Sequence, residues 1–141
     1  MATQNLKTRT GNRIRVLLDN KLVGLAQSVR ANDDYSPEPA SGIGDIHVQE
    51  YVPTMARHTI SVSNMVLNAN SLRSLGLAAE NGDAMLKGLV FDFVSMDKDT
   101  GAVLRKYVGC SFASGDIEIS KHQIVMSNAQ YNALDVQGTG I

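Results

Sequence analysis

Two runs of alternating apolar and polar residues near the middle of the chain constrain its fold most. The first is residues 45–52, DIHVQEYV, and the second is residues 59–67, TISVSNMVL. A period of two places successive side chains on opposite faces and is typical of β-strands. The six residues between the runs include Pro53, which has no backbone N–H to donate to a sheet. The sequence therefore predicts a pair of central strands separated by a break.

Each of these strands would have one apolar and one polar face. The apolar faces, which can pack on a core, hold Ile46, Val48, Val52, Ile60, Val62 and Val66, with Glu50 and Asn64 among them. The opposite faces are polar but carry little charge, as Gln49, Ser61 and Ser63 show. Such a face is either the solvated side of a sheet or a surface that lines a channel or meets another subunit.

The segment before these strands, residues 33–44, contains two prolines and two glycines. Proline restricts itself and the residue before it, and glycine permits positive φ, so we predict a long loop. Loops of this length are usually functional or disordered, which suggests a contact with a neighbouring subunit. The candidate contact residues are Asp33, Asp34, Tyr35, Pro37, Glu38, Pro39, Gly42 and Gly44.

The rest of the chain predicts an all-β protein with one short helix, folded as an antiparallel β-sandwich or barrel of about seven or eight strands. Residues 1–12 are predicted to be a flexible arm, followed by a single domain over residues 13–141. Further strands are predicted at 13–18, 22–30, 89–96, 103–112, 117–120 and 123–127, a helix at 70–83, and turns at 19–21, 97–101 and 113–116. The run at 89–96 is apolar enough to be buried on both faces, whereas residues 128–141 look irregular.

Composition excludes several classes of function. The net charge of −1 argues against a surface built to grip nucleic acid. The single cysteine, Cys110, rules out an intrachain disulfide and favours folding in a reducing cytosol. We interpret it as a small buried hydrophobe, with a reactive thiol or an intermolecular disulfide as alternatives. No apolar run approaches the roughly 20 residues of a membrane span.

Residues suited to catalysis or metal binding do not cluster in the sequence. His47, His58 and His122 lie far apart and are predicted at the surface or at an interface. The run DKDTG at 97–101 resembles part of a calcium loop but lacks the later carboxylate ligand. Phosphate-binding and hydrolase motifs are missing. We therefore expect no enzyme activity, no metal and no cofactor.

The local sequences of these segments and their order along the chain resemble those of the tail tube proteins of bacteriophages. The similarity lies in a Pro/Gly-rich stretch leading into SGIGDIHVQE, a polar break, HTISVSNMVL, and the later strands at 89–96 and 103–112. It extends over about residues 13–138. The resemblance implies six-membered rings that stack into a hollow tube, with part of each subunit's sheet joined into one continuous inner barrel.

The resemblance also implies partners and a location. The tube would hold a tape-measure protein during assembly, would later conduct the genome, and would contact baseplate and tail-terminator proteins, and a sheath if the tail contracts. It would be built in the host cytoplasm and become part of the virion. Alternatives are a tube-initiator or completion ring, the tube of a bacterial contractile injection machine, or a small-ligand-binding barrel.

Within such a tube one face of these strands would line the lumen. The polar, weakly charged face suits that position, and the sequence leaves the choice between the two faces open. The candidate lumen residues are Gln49, Glu50, Ser61, Ser63 and Asn64. Each Lys or Arg that neutralises a phosphate adds salt-dependent affinity for DNA, so a wall poor in cations would let DNA pass.

Overall fold

The computed structural model describes residues 10–11, 14–18, 25–66 and 76–141. The part of the chain that it describes is mostly antiparallel β-structure with one short helix, as predicted. The elements are β1 Ile14–Leu18, β2 Leu25–Asp34, β3 Pro37–Ala40, β4 Glu50–Pro53, β5 Arg57–Val66, α1 Gly82–Leu86, β6 Phe91–Asp97, β7 Val103–Glu118, β8 Met126–Ala133 and β9 Asp135–Gln137. The predicted N-terminal arm falls largely outside the described residues.

Seven of the strands form one sheet, in the order β1-β6-β7-β8-β5-β2, with β9 also paired to β7. Strand β7 is 16 residues long and belongs to two parts of this sheet. Its first part pairs with β6 and β9, and residues 111–118 pair with β8. We call residues 111–118 of β7 together with β8, β5 and β2 the four-stranded section.

Gly109 lies where β7 passes from one part of the sheet to the other. Its φ of 68° is in the left-handed region that favours glycine. A Cβ at this position would lie 2.8 Å from Cδ1 of Leu134, too close for an ordinary contact. The positive φ is therefore the main reason for glycine at this position, because the exposed Leu134 side chain could move away from a Cβ.

The core lies between the two parts of the sheet. Ile60 and Val62 of β5 are 0% and 1% exposed, which confirms that the apolar face of this strand packs inward. The ring of Tyr131 from β8 packs edge-on against Phe91 of β6, with centroids 5.2 Å apart. Cys110 is fully buried, and burial raises the pKa of its thiol to about 11, so it is the small hydrophobe that the sequence predicted.

The prediction for residues 33–52 is wrong in its extents and its pairing. Residues 37–40 form β3 rather than a loop, and only Glu50–Pro53 of the later run is a strand. These two strands pair with each other as a separate hairpin, so β4 does not pair with β5. Prolines fit here because a two-stranded ribbon has outer edges on which a missing N–H costs nothing.

The predicted apolar face of residues 45–52 is not part of the core either. Ile46 is 93% exposed, and Val48 and Val52 are also exposed. The alternation of this run predicts a half-buried strand, but no other element of the described chain covers its apolar face. We call β3, β4 and the connecting residues 41–49 the projecting hairpin.

The helix prediction is wrong over residues 76–81, and of its described residues only the last two, 82 and 83, are helical. Residues 76–81 are not helical, and residues 70–75 lie outside the described part of the chain. Asn81, near the end of the predicted helix, instead begins α1: its side chain accepts a hydrogen bond from the Ala84 N–H at 3.0 Å. Asparagine is a good N-cap for this reason, so the same residue type can mark either end of a helix.

Strand β7 also continues through the predicted turn at 113–116. Gly115, which suggested a turn, lies within the strand, where an added Cβ would be 3.0 Å from the ring of Phe112. Its role is close packing rather than chain reversal. Residues 117–118 therefore belong to the same strand, and the 128–141 region, predicted irregular, contains most of β8 and all of β9.

The start of the chain pairs differently from a simple hairpin. The predicted turn at 19–21 lies outside the described residues, but β1 pairs with β6 and β2 pairs with β5.

The prediction for β6 is confirmed in its main feature: the successive residues Phe93 and Val94 are both buried, so both faces of the strand are covered there. The turn at 97–101 is confirmed by the hydrogen bond from Gly101 N to Asp97 O.

Candidate functional site

One face of the four-stranded section is polar across all its strands. Residues that pair directly share a face, and Ser61 of β5 pairs with both Arg30 of β2 and Gln130 of β8. The polar-face residues are Ser28, Arg30, Asn32, Asp34, Arg57, Thr59, Ser61, Ser63, Ser111, Ser114, Asp116, Glu118, Asn128, Gln130 and Asn132. The opposite face of the same strands packs on the core through Ile60, Val62, Ala129 and Tyr131.

The centre of this polar face is an open depression of about 380 Å³. Three strands line it, and a short hydrogen-bonded chain holds its side chains. The Asn128 amide donates to Asp116 Oδ1 at 2.8 Å, and its carbonyl oxygen accepts from the Asn64 N–H at 2.8 Å. Ser114 Oγ lies 3.4 Å from Gln130 Oε1. The surface is therefore an ordered polar wall.

The structure separates the five predicted lumen residues into two groups. Ser61 and Ser63 lie on the polar face, and Asn64 lies beside them at a bulge, with a φ of 54°. Gln49 and Glu50 are exposed on the projecting hairpin instead. The reason is that β4 pairs with β3 and never joins the four-stranded section. The sheet therefore does not bring Gln49 beside Ser61, and the lumen role of all five residues stays a prediction.

The polar face carries charges that the sequence reasoning missed. Arg30 pairs directly with Ser61, and Arg57 lies on the same face of β5. Neither arginine forms an ion pair within the residues that the structure describes. The sequence did contain a signal, because Arg30 lies between the apolar residues Val29 and Ala31 and so belongs to the polar face of its strand. The pairing of β2 with β5 was still needed to place it beside Ser61.

The projecting hairpin holds most of the predicted contact residues. Pro37, Glu38 and Pro39 lie in β3, and Gly42 and Gly44 lie in its tip. The exposed large apolar side chains of the hairpin and of the link that follows it are Ile43, Ile46, Val48, Tyr51, Val52 and Met55. So many exposed apolar side chains on one small element indicate a surface that meets another protein.

The root of the hairpin is a charged cluster turned towards the core. Asp33 Oδ1 lies 2.7 Å from His58 Nδ1, and Asp33 Oδ2 accepts from Arg105 at 3.0 Å. Arg105 also donates to the Gly138 carbonyl at 2.7 Å, and the ring of Tyr35 packs edge-on against His58. The cluster ties the hairpin root to β7 and to the C-terminal segment.

Two predictions about these residues need correction. His58 was expected at the surface or at an interface but is 4% exposed. Asp33 was expected in a contact loop but lies in β2 and faces His58. Partial burial raises the pKa of Asp33, but hydrogen bonds from His58 and Arg105 outweigh this and hold that pKa below its usual value. The two residues are 25 positions apart, and only the β2–β5 pairing brings them together.

Other kinds of site find little support in the described residues. They contain no group of three or more His, Cys, Asp or Glu side chains able to hold a metal ion. None of their helices has the length and apolar character needed to cross a membrane. An apolar depression of about 220 Å³ beside α1, lined in part by Leu77, Met85 and Phe91, is smaller than the roughly 300–1,000 Å³ usual for ligand pockets.

Comparison with known families settles the class of the protein. The family described as the Phi812 tail tube protein matches residues 3–137. The chain belongs to this tail tube family. It is also 29% identical over 130 residues to virion protein 5 of Enterococcus phage phiEF24C, covering 92% of each protein. The tail tube protein is thus a structural component of the phage particle, and the predicted virion location is confirmed.

Solved structures with the same fold include a tail and a tail tube. The tail of an empty gene transfer agent particle, refined with C6 symmetry, superposes with a TM-score of 0.70 at 12% identity, over 94% of this chain and 99% of that one. The SPP1 tail tube gives a TM-score of 0.67 at 10% identity, over 94% of this chain and 79% of that one. A chain of the anti-feeding prophage baseplate gives 0.54 at 11% identity, over all of both chains. At these identities the likeness concerns the fold alone.

Proposed function

We propose that six copies of this protein form a ring and that the rings stack into the hollow tail tube through which the phage genome is delivered. One observation carries the proposal: the four-stranded section has an unpaired edge on each side. Within the described residues, β2 pairs only with β5, and residues 111–118 of β7 pair only with β8. A six-fold tail of the same fold supports the number of copies.

These two edges suit each other. Neighbouring strands of the section are antiparallel, so β7 and β2, at its two ends, run in opposite directions. The β2 edge of one copy can therefore meet the β7 edge of the next as one more antiparallel pair. Repeated around a closed ring, this head-to-tail contact leaves no free edge, which protects the sheets from uncontrolled pairing.

The polar face would then line the lumen, because the core occupies the other face. Ser61, Ser63 and Asn64 form part of this wall in the proposal. Gln49 and Glu50 lie on the hairpin and would add to this wall only where the hairpin reaches the lumen. The wall must hold a tape-measure protein and then release DNA, so its uncharged hydroxyl and amide groups are suited to weak contact with phosphate.

The projecting hairpin covers a neighbouring subunit in this proposal. Its exposed apolar side chains, such as Ile43 and Ile46, have no partner in the described residues of their own chain. Baseplate and tail-terminator proteins bind the tube ends, and a sheath surrounds the tube if the tail contracts. The role is structural and non-enzymatic.

Electron microscopy of the purified protein at high concentration tests the proposal. We expect negatively stained hollow tubes or six-fold rings. A variant in which a short Gly-Ser link replaces residues 42–48 should stay folded but form no tubes, while Lys98→Ala, in the turn between β6 and β7, should assemble normally. A strict monomer at every concentration and within particles would reject the proposal. Normal tubes from the shortened variant would reject the role of the hairpin.

A minor ring of the tail, such as a tube initiator, is the second candidate. The same fold occurs in a chain of the anti-feeding prophage baseplate. The number of copies in purified particles separates the candidates, because a tube subunit repeats in every ring whereas an initiator forms a single ring.

A further inference from the structure

We infer that Arg30 on the β2 edge of one copy forms an ion pair with Asp116 on the β7 edge of the next copy, with Glu118 adding to the negative charge of that edge. The inference rests on the proposed head-to-tail ring and names the contact that orients it. The partner surface is thus a second copy of this chain.

The cation lies on one edge of the four-stranded section. Arg30 is exposed, belongs to the polar face, and sits in a strand that pairs on one side only within the described residues. No carboxylate of the described chain lies within ion-pair distance of it. Its guanidinium is therefore available to a group that approaches this edge.

The anions lie on the opposite edge of the same section and on the same face. Asp116 and Glu118 are exposed and lie two residues apart on the polar face of β7, whose outer edge is unpaired in the described residues. The Asn128 amide holds Asp116 by one carboxylate oxygen, at 2.8 Å, and leaves the other oxygen open. Neither carboxylate has a cationic partner in the described residues.

The register of the strands places Arg30 and Asp116 at nearly the same position along the strand direction. Arg30 pairs with Ser61, Ser61 with Gln130, and Gln130 with Ser114, so Arg30 and Ser114 end the same row. Asp116 lies two residues beyond Ser114 on the same face. If rows continue from copy to copy, Arg30 and Asp116 are diagonal neighbours about 7–8 Å apart at their Cα atoms, a gap that an arginine side chain spans.

The pair would also explain how an arginine can belong to a wall that must release DNA. An arginine already paired with carboxylates offers less charge to a passing phosphate. In addition, the complementary edges favour head-to-tail contact, since two β2 edges would bring arginines together and two β7 edges would bring carboxylates together.

Charge reversal on the full-length protein tests this pair. The variants are Arg30→Glu, the double variant Asp116→Lys/Glu118→Lys, and the triple combination of all three changes. The readout is the protein concentration needed for tubes at low salt, measured by sedimentation and confirmed by microscopy. Arg57→Glu is the matched control, because Arg57 lies on the same face but in β5, which is paired on both sides.

We expect Arg30→Glu, and separately the double variant, to raise the required concentration by about tenfold, because attraction becomes repulsion at every contact around the ring. The triple variant should return it close to the wild-type value, and Arg57→Glu should leave it nearly unchanged. Circular dichroism of each dilute variant shows whether the subunit itself is folded.

A second measurement does not depend on the charges. In a Cys110→Ala background, Arg30→Cys combined with Ser114→Cys, the two positions that end the same row, should give, on oxidation, a ladder of covalently joined copies that ends at the ring.

Several outcomes would overturn the inference. Wild-type tubes with unchanged assembly of Arg30→Glu would reject the ion pair and leave the tube function standing. Impaired single variants that the triple variant does not restore would show that Arg30 contacts a different group of the neighbouring copy and would reject the pair with Asp116. If the wild-type protein forms no tubes or rings at all, the proposed function fails and the inference fails with it.

Discussion

Strand β5 and the projecting hairpin come from adjacent stretches with similar alternating sequences, yet they have opposite environments. β5 lies between β2 and β8, and its Ile60 and Val62 are almost completely buried. Among the described residues the hairpin strands pair only with each other, and Ile46 and Tyr51 are 93% and 66% exposed. A period of two specifies a strand, whereas burial requires another element to cover one of its faces.

The difference also concerns what holds each region in place. A buried aliphatic side chain contributes about 1.5–3 kcal/mol, so β5 is held by its own apolar face. An isolated two-stranded hairpin is marginal in water. Here polar contacts at the root hold it, including the Thr54 N–H to Tyr35 O bond at 3.1 Å and the Thr54 hydroxyl to Ser36 O bond at 2.7 Å. The tip is therefore open to a partner.

Truncating one isoleucine in each region gives the largest contrast. Ile60→Ala should lower the free energy of unfolding by about 2–5 kcal/mol, because it leaves a cavity in the core. Ile46→Ala removes an equally large side chain from an exposed tip and should change it by less than about 0.5 kcal/mol. Denaturant unfolding of the dilute protein measures both. Equal losses would mean that the tip packs against its own subunit.

The charged root between the two regions should have an intermediate effect. Asp33→Asn removes the charge that His58 and Arg105 share and should cost about 1–3 kcal/mol at neutral pH. Asp34→Asn is the control, because Asp34 is the next residue, faces the other way and is exposed. Unfolding in denaturant at pH 7 compares the two variants. Similar small changes in both would show that the cluster does not stabilise the hairpin root.

The same cluster should make the stability of the folded protein depend on pH. The pKa of Asp33 is lowered in the folded protein from its usual 3.8, so the ionised carboxylate stabilises the fold above that pH. This contribution is lost as the pH falls through the folded value. Wild-type protein should therefore lose more stability than Asp33→Asn on acidification below about pH 4. Parallel loss in both proteins would contradict the assignment.

The smallest effect on folding is expected on the open face of β5. Ser63→Lys adds a charge to a partly exposed position and should change stability by less than about 0.5 kcal/mol. If this face lines the lumen, the lysine repeats in every ring and should slow DNA ejection at low salt, with recovery at high salt. Ser120→Lys, exposed between β7 and β8, is the control. Ejection of assembled Ser63→Lys particles at the normal rate in low salt would place Ser63 outside the channel or make wall charge irrelevant.

The local sequence determined several features by itself. Alternation identified the antiparallel β class and the buried face of β5, and the polar run at 97–101 identified its turn. Cys110 was correctly expected in the core because a lone cysteine amid apolar residues behaves as a small hydrophobe. These features depend on neighbours within a few residues, so the sequence states them directly.

Only the tertiary structure decided which strands pair and which faces are covered. It separated Gln49 from Ser61, placed Arg30 beside Ser61, and buried His58 against Asp33. Pairings such as β1 with β6 join residues about eighty positions apart. Strand periodicity is a local property that repeats in every strand, so it cannot choose between partners. That choice comes from the joint burial of apolar faces and the matching of charges across the whole sheet.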